Sequence, residues 1–397
     1  MGQYDFSRRR FLEFGSAAIA ALSGGSVWLE GCSESPRGAA YSPWSSWNDR
    51  AIAGSSLALV AAGILAANPH DTQPWLFRIG PSTIQVFADT ARHLGAMDPM
   101  LREMHIGLGC ALENMVLAGR PNGFAATIEM DGGDLRSLSE RRRAVSVATV
   151  HLAPAGSDHS PSASYSVIAQ RHTNRNAYDR GRPLPPHWRS AAASIVDSAQ
   201  VRLFAFEGGA SRQVFDQIIL DATAAIIADT RMIGDSDRWL RRTDAEIETF
   251  RSGPTLEAAG LSPTTLMMAK TFQVSTSMEH AAWLTHTRDD QLATAPLTGL
   301  IAVRDKFDRA QALAAGMAWQ RLHLDATVTG VALQPLNQAM EMADRDFQVG
   351  RVREWDKRLE ALVGGDGWRP TFAFRAGWAE RPAPASPRRA LRDVLMA

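Results

Sequence analysis

The chain has 397 residues, 45% of them hydrophobic and 21% charged, with 42 basic and 42 acidic side chains. That length admits one large domain or two ordinary ones, and that composition belongs to a globular protein. The balanced charge offers no broad basic footprint to release counterions, which argues against nucleic acid as a partner. Cys32 and Cys110 form neither a CxxC motif nor a metal-ligand pair.

Taken in chain order, the first feature is Ser7-Arg8-Arg9-Arg10-Phe11-Leu12, followed by a weakly apolar run broken by glycines. It resembles a twin-arginine export signal over residues 1–32. The run is too short and too glycine-rich to be a stable membrane span. The expectation is export by the twin-arginine machinery, to the periplasm or to the outer side of a membrane. Cys32 closes Leu29-Glu30-Gly31-Cys32 and stands where a lipid anchor would attach, although Glu30 is unusual there. The competing reading is a basic arm on a buried helix. Residues 33–45 are rich in Ser, Pro and Gly and read as a linker.

Strand patterns follow at "WLFRI" (75–79) and "TIQVFAD" (83–89), then "FAATIEM" (124–130) and "VSVATVHLA" (145–153). Further on come "VRLFAFE" (201–207), "LTGLIAV" (297–303) and "VALQPL" (331–336). Two stretches align without a gap: "GCALENMVLAGRPNGF" (109–124) and "GMAWQRLHLDATVTGV" (316–331). They share Gly109/Gly316, Ala111/Ala318, Leu117/Leu324 and Gly123/Gly330, with Glu113 matched to Gln320. Each copy reads as a buried helix leading into a strand, with Gly330 at a C-cap. Chance likeness between two Ala/Leu-rich helices is the alternative, but matching glycines at both ends favour a duplicated unit. The mixture of long helices and short separated strands predicts an α+β fold with helices around a sheet. The halves would span 46–155 and 160–397. A polar, Met-rich helical insertion at about 222–292 would lie over a surface as a lid. The tail "ERPAPASPRRALRDVLMA" is Pro-rich and extended.

Much catalytic chemistry is missing. There is no HExxH, no GxSxG and no P-loop, and Gly107-Leu108-Gly109 lies inside the helical repeat rather than after a strand. The segment "AQRHTNRNAY" (169–178) stands out instead. It gathers two arginines, a histidine, a threonine and two asparagines, with no acid before Asp179. Such a set suits an anionic, oxygen-rich ligand; a surface turn with salt bridges is the bland alternative.

"ANPHDTQPWLF" (67–77) and "RHTNR" (171–175) resemble the two signature segments of the FMN-dependent nitroreductase family. The first is similar to its "PSS-x-N-x-QPW" loop, and the second to its phosphate grip. "GVALQPLNQ" (330–338) resembles the loop that passes over the flavin ring. Arg388 and Arg389 stand where the family places a C-terminal arginine on the phosphate. The layout is most similar to the Acg-type tandem branch. The resemblance implies a nitroreductase-like fold and FMN as cofactor, with the flavin rather than any side chain carrying the reaction. It implies binding positions at Asn68, Asp71, Gln73, Arg171, His172, Thr173, Arg175, Pro335, Leu336, Asn337, Gln338, Arg388 and Arg389. Arg171 would fork the phosphate. His172 and Thr173 would serve phosphate or ribityl oxygens, and Arg175 the ring edge where charge grows on reduction.

The order of these motifs implies more. The first half carries the Gln73-Pro74-Trp75 loop without a grip before it, and the second carries the grip without that loop. One chain would then fold as a pseudo-dimer around one FMN site, and could pair further as a homodimer. Departures stand at Asn68-Pro69, at Asp71 in place of Asn, and at Asn337-Gln338 in place of Glu-Gly. The implied activity is hydride transfer from a small-molecule donor, NAD(P)H or another, to a nitroaromatic, quinone or similar acceptor. The rival is an exported protein that holds or sequesters FMN without turnover; a third is a relic of the fold that binds nothing.

Overall fold

The expected strands become two antiparallel sheets in a computed structural model that describes residues 38–137, 143–271 and 276–397. Residues 1–32, where an export signal is expected, and with them Cys32, lie outside the described residues. β1 (Trp75–Ile79) and β2 (Thr83–Ala88) form a hairpin, with Trp75 opposite Ala88 and Ile79 opposite Ile84. Period-2 burial explains its placement: Ile84, Val86 and Ala88 point inward and are fully covered. β3 (Phe124–Met130) and β4 (Val145–Pro154) complete the first sheet in the order β1-β2-β4-β3. β5 (Val201–Phe206), β6 (Leu297–Val303), β7 (Ala332–Pro335) and β8 (Arg369–Gly377) form the second in the order β5-β6-β8-β7.

The orders are the same, offset by four strands. Even an irregularity is repeated: register slips at Val86/Phe87 between β2 and β4, and at Ile301/Ala302 between β6 and β8. This is the α+β architecture expected from the sequence. β8 was not anticipated, because Arg369, Pro370 and Arg375 interrupt its apolar run. Arg375 is nevertheless buried: its guanidinium lies 3.7 Å from the Tyr178 ring centroid and its Nε donates to Gln334 Oε1 at 2.7 Å.

Helices fill the space between and around the sheets. Apart from single turns at Pro43–Ser46 and Ala163–Ser166, in chain order they are α1 (Ser56–Gly63), α2 (Arg102–Gly119), α3 (Trp188–Val196), α4 (Gly209–Ala228), α5 (Thr230–Asp237) and α6 (Asp244–Phe250). Then come α7 (Pro263–Thr271), α8 (Thr276–His286), α9 (Arg309–Thr329), α10 (Gln338–Gln348) and α11 (Glu354–Leu362). The segment 222–292 thus runs from the end of α4 through α8 and a following π-helical turn at Thr287–Leu292. β6 is buried along its whole length; Leu297, Ile301 and Val303 enter one core, and Leu300 and Ala302 another.

The duplicated helices α2 and α9 cross at their matched glycines. A Cβ on Gly109 would lie 3.0 Å from Gly316 Cα and collide with the Leu313 carbonyl oxygen. A Cβ on Gly316 would lie 3.0 Å from Gly109 Cα and collide with the Ile106 carbonyl oxygen. Each glycine thus meets the carbonyl three residues before its counterpart, as an isologous two-fold contact requires. The polar pairs obey the same exchange. Arg321 Nε donates to Glu113 Oε1 at 2.9 Å, and Gln320 Nε2 donates to Asn114 Oδ1 at 2.8 Å. Gly330 ends α9 at φ +78° and Gly123 follows α2 at φ +84°, so both glycines hold left-handed caps.

Residues 38–45, read as linker, are tied down. Ala40 N donates to Glu248 Oε2 at 3.2 Å, and Trp44 Nε1 donates to Ser386 O at 2.7 Å. Local composition favours loops there, but it does not register a partner 342 residues away. The C-terminal tail also leaves its own half. Phe77 N donates to Val394 O and Met396 N to Phe77 O, both at 2.8 Å, so the tail pairs with the outer edge of β1.

A second junction between the halves is charged. Arg102 Nε donates to Asp344 Oδ2 at 2.6 Å, and Lys306 Nζ lies 3.1 Å from Asp344 and 2.6 Å from Asp356. Asp98 accepts from Glu103 N and Met104 N at the start of α2. Burial pushes the Glu341 carboxyl up to about 8 and Asp98 up to about 6, with Arg102 opposing both. Glu103 is held well above its ordinary range by burial and then by Glu341.

Two outcomes are expected. Gly316→Ala forces the helices apart and should lower unfolding free energy by about 1–3 kcal/mol in a urea titration. The raised carboxyls bind protons more tightly folded than unfolded. Their contribution is complete below their ordinary range near 4.5 and is lost as pH rises through about 8 for Glu341. Stability measured by urea titration should therefore fall with rising pH across that window, and Glu341→Gln should flatten the fall.

Candidate functional site

Loop 67–73 runs from α1 to β1 with three left-handed residues in four positions: His70 at φ +45°, Asp71 at φ +46° and Gln73 at φ +50°. Such conformations disfavour side chains, at about 1–3 kcal/mol each. Hydrogen bonds compensate. Asn68 Oδ1 accepts from Gln73 N at 2.8 Å, and Asp71 O accepts from Gly253 N at 3.0 Å. Gly107 of α2 backs the loop, since a Cβ there would lie 2.9 Å from Pro69 Cδ. The glycine pair 107/109 thus serves close packing on both sides of α2.

Across from it, the 171–175 segment follows a turn of 3₁₀ helix at Ile168–Gln170. Arg171 is 2% exposed. Its Nη2 donates to Leu65 O at 3.1 Å and its Nη1 lies 3.4 Å from His323 Nδ1 of α9, while its Nε meets no partner. No carboxylate pairs with it among the described residues. Burial, with Arg388 adding to it, brings the guanidinium down to about 9. Burial, then Arg171 and Arg388, pushes His172 down to about 3, so its ring is neutral at pH 7. His172 rests edge-on against Trp44 with centroids 4.6 Å apart. Arg175 Nη1 donates to Ala258 O at 3.2 Å.

The tail closes the third side. Arg388 is 2% exposed; its Nη1 pairs with Asp71 Oδ1 and donates to Ser386 Oγ at 2.6 Å, and its Nε is unpartnered. The guanidinium lies 4.6 Å from the Trp44 ring centroid. Burial raises Asp71 to about 7 despite the opposing charge of Arg388. Gln73 ties these pieces together. Its Nε2 donates to Arg251 O at 2.8 Å and Pro387 O at 3.3 Å, and its Oε1 accepts from Arg389 N at 2.7 Å.

These loops enclose a cavity of about 60 Å³ bounded by Asn68, Asp71, Arg171, Thr173, Arg175 and Arg388, among others. Four of the expected positions, Arg171, His172, Thr173 and Arg175, meet two from the opposite half, Asn68 and Asp71, and one from the tail, Arg388. Gln73 is near but fully engaged, and works as a fastener. Arg389 spends its guanidinium on the carbonyls of Gln73, Trp75 and Asp393. Pro335 to Gln338 do not line the cavity. Leu336 is packed in the second core, and Asn337 Oδ1 accepts from Ala373 N at 2.9 Å at the start of α10.

Sequence reasoning missed the covering residues Pro254, Ala258, Pro384 and Ser386, and also Trp44, His70 and His323. His70, His323, Pro384 and Ser386 lay inside quoted segments without being singled out, and Trp44, Pro254 and Ala258 carry no local signal. A larger depression, about 320 Å³, is lined by His93, Gly95, Ala96, Arg231, Arg345 and Gln348 and holds none of the expected positions. Among the described residues no cluster of His, Cys, Asp and Glu could hold a metal ion, and no helix is long and apolar enough to cross a membrane.

No family model matches the chain. It is similar to a protein of Mycobacterium tuberculosis H37Rv named as a candidate NAD(P)H nitroreductase, Rv3131. The two are 25% identical over 347 residues, or 85% of this chain and 90% of that one. A second candidate NAD(P)H nitroreductase of that strain, acg, is 24% identical over 349 residues, covering 83% and 92%. Among solved structures, a nitroreductase candidate from Anabaena variabilis superposes with a TM-score of 0.44 at 11% identity, covering 75% of this chain and 69% of that one. The FMN- and NADPH-dependent nitroreductase NfnB from Sphigopyxis sp. strain HMH gives 0.38 at 19%, covering 59% and 98%.

Gln73→Ala should leave the Arg251 carbonyl and the Arg389 N–H without partners, at about 1–3 kcal/mol. The expected readouts are a lower Tm and faster hydrogen exchange over residues 382–396.

Proposed function

We propose that the chain is an FMN-binding oxidoreductase of the nitroreductase type, acting between a small-molecule donor and a nitroaromatic, quinone or similar acceptor. The observation that carries this reading is Arg171: a buried cation with an unpartnered Nε and no carboxylate of its own, set in a cavity wall. A buried unpaired charge is costly, and an anionic ligand relieves it. The donor set suits a phosphate monoester. Arg171 would supply a fork, Thr173 a hydroxyl, and Arg388 its unpartnered Nε. The motif likeness at 67–77 and 171–175 and the two candidate NAD(P)H nitroreductases point the same way.

When bound, the flavin supplies hydride acceptance and donation at N5. The chain's part is to bind and orient it, and to place Arg175 where a cation favours negative charge. The cavity of about 60 Å³ suits the phosphate end. A ligand the size of a flavin nucleotide needs roughly 300 Å³ or more. The loop around Pro254–Ala258 and the strap at 384–388 must therefore part to admit the ring. That enclosure favours the second reading, a protein that holds FMN without turnover. Export of the folded chain through the signal at residues 1–32 belongs to the same proposal, since a cofactor must then be taken up in the cytoplasm.

The test is the absorbance spectrum of the purified chain before and after anaerobic NADPH. Flavin bands that bleach support the reductase; bands that persist with NADPH and bleach with dithionite support the holding protein. Arg171→Ala should weaken FMN binding by 1.5–3 kcal/mol, roughly 10- to 150-fold. Stoichiometric FMN retained in that variant would overturn the phosphate assignment.

A further inference from the structure

The Asp71 carboxylate sits where an anion would act. It pairs with Arg388 inside the cavity wall, and its backbone carbonyl holds Gly253, so one residue fastens both the strap and the covering loop. We propose that Asp71 is a built-in competitor for the site's anion: it holds Arg388 and the C-terminal strap across the cavity, and an incoming phosphate monoester must displace it. The inference rests on the flavin reading above and adds the residue that sets affinity and its pH dependence.

The charge count supports it. Arg171, Arg175 and Arg388 face the cavity with Asp71 as their acid, which leaves two net positive charges when the carboxylate is ionised. A phosphate dianion matches that surplus, but it also brings its charge close to Asp71. Like charges in a dry site cannot both ionise at low cost. The bound state therefore favours a neutral Asp71 turned from Arg388, and binding takes up a proton. The groups facing Asp71 allow this. Arg388 comes from the strap, Arg92 from the turn after β2, Arg171 and Arg175 from the grip, Arg241 from the loop after α5, and Tyr41 from the N-terminal turn. Burial outweighs these cations and brings the carboxyl to about 7, so the proton is exchangeable near neutrality.

Asn accepts the left-handed backbone at this position as readily as Asp, so Asp71→Asn keeps the loop while removing the charge. FMN is titrated into both cofactor-free proteins between about pH 7 and 8, where its phosphate is already a dianion and Arg171 is still a cation. For the native chain, affinity should fall as pH rises, approaching tenfold per unit. Asp71→Asn should bind about tenfold tighter or more at pH 8, with a flat profile over the same range. Riboflavin, which lacks the phosphate, should show a smaller difference of each kind, because it gains only from the freed strap. Equal FMN affinities with equal pH slopes overturn the proposal. Hydrogen exchange over 382–396 gives a second readout that needs no flavin. Faster exchange in Asp71→Asn supports the latch, and unchanged exchange overturns it. If FMN binds neither protein, the flavin reading falls. Inorganic phosphate should then still raise the Tm of Asp71→Asn more than that of the native chain, and equal shifts sink the competitor.

Discussion

Backbone contact between α2 and α9 at Gly109 and Gly316 sets the distance on which the site depends. No side chain stands between the helices there, so each helix reaches the cavity close beside the other. α2 presents Gly107 to Pro69 and so seats the strained loop 67–73. α9 places His323 beside Arg171, and its Gln320 accepts from Ala67 N at 3.2 Å. The two walls of the cavity thus belong to different halves but are aligned by one crossing. A rotation or a lift there would change the gap between Arg171 and Asp71 directly. Close packing makes such a contact resist gradual deformation.

The buried charges divide into two kinds. Arg102, Asp344, Lys306 and Asp356 satisfy each other and fasten α2 to the second half. Their cost is desolvation, and their return is a specified junction. The cavity is different. Arg171 has no acid, and Asp71 and Arg388 form a pair that leaves the Arg388 Nε without a partner. Two unused guanidinium donors thus stand together on the wall of one small cavity. This contrast marks the cavity, rather than the larger surface depression, as the place where a ligand is expected. The arginines that line that depression are paired with acids: Arg231 with Asp235 and Arg345 with Asp229.

The strap explains how a Pro-rich tail becomes structural. Proline at 382, 384 and 387 prevents helix and keeps the backbone extended. An extended chain can cross from one half to the other with few residues, then pair with the open edge of β1. On the way it delivers Arg388 to the cavity and Arg389 to the carbonyls of Gln73 and Trp75. The same residues that finish a sheet therefore roof a site.

Local pattern determined much of this protein. Strand alternation, glycine caps and the repeated helix were legible because burial with period 2 or 3.6 and left-handed glycine leave marks within a dozen residues. The basic cluster at 171–175 was legible for a like reason: its donors stand close together in the chain. What the chain pattern does not encode is which groups end up facing one another. β8 escaped because the groups that Arg375 contacts, the Tyr178 ring and the Gln334 amide, are far away in sequence. Gln73 and Arg389 look like ligand contacts by position, but the tail's return path consumes their hydrogen-bonding capacity. Asp71 reads as a minor departure from a motif until Arg388 arrives from 317 residues downstream. Those outcomes belong to tertiary structure alone, because burial and charge pairing are decided by neighbours in space, and only the folded chain brings these neighbours together.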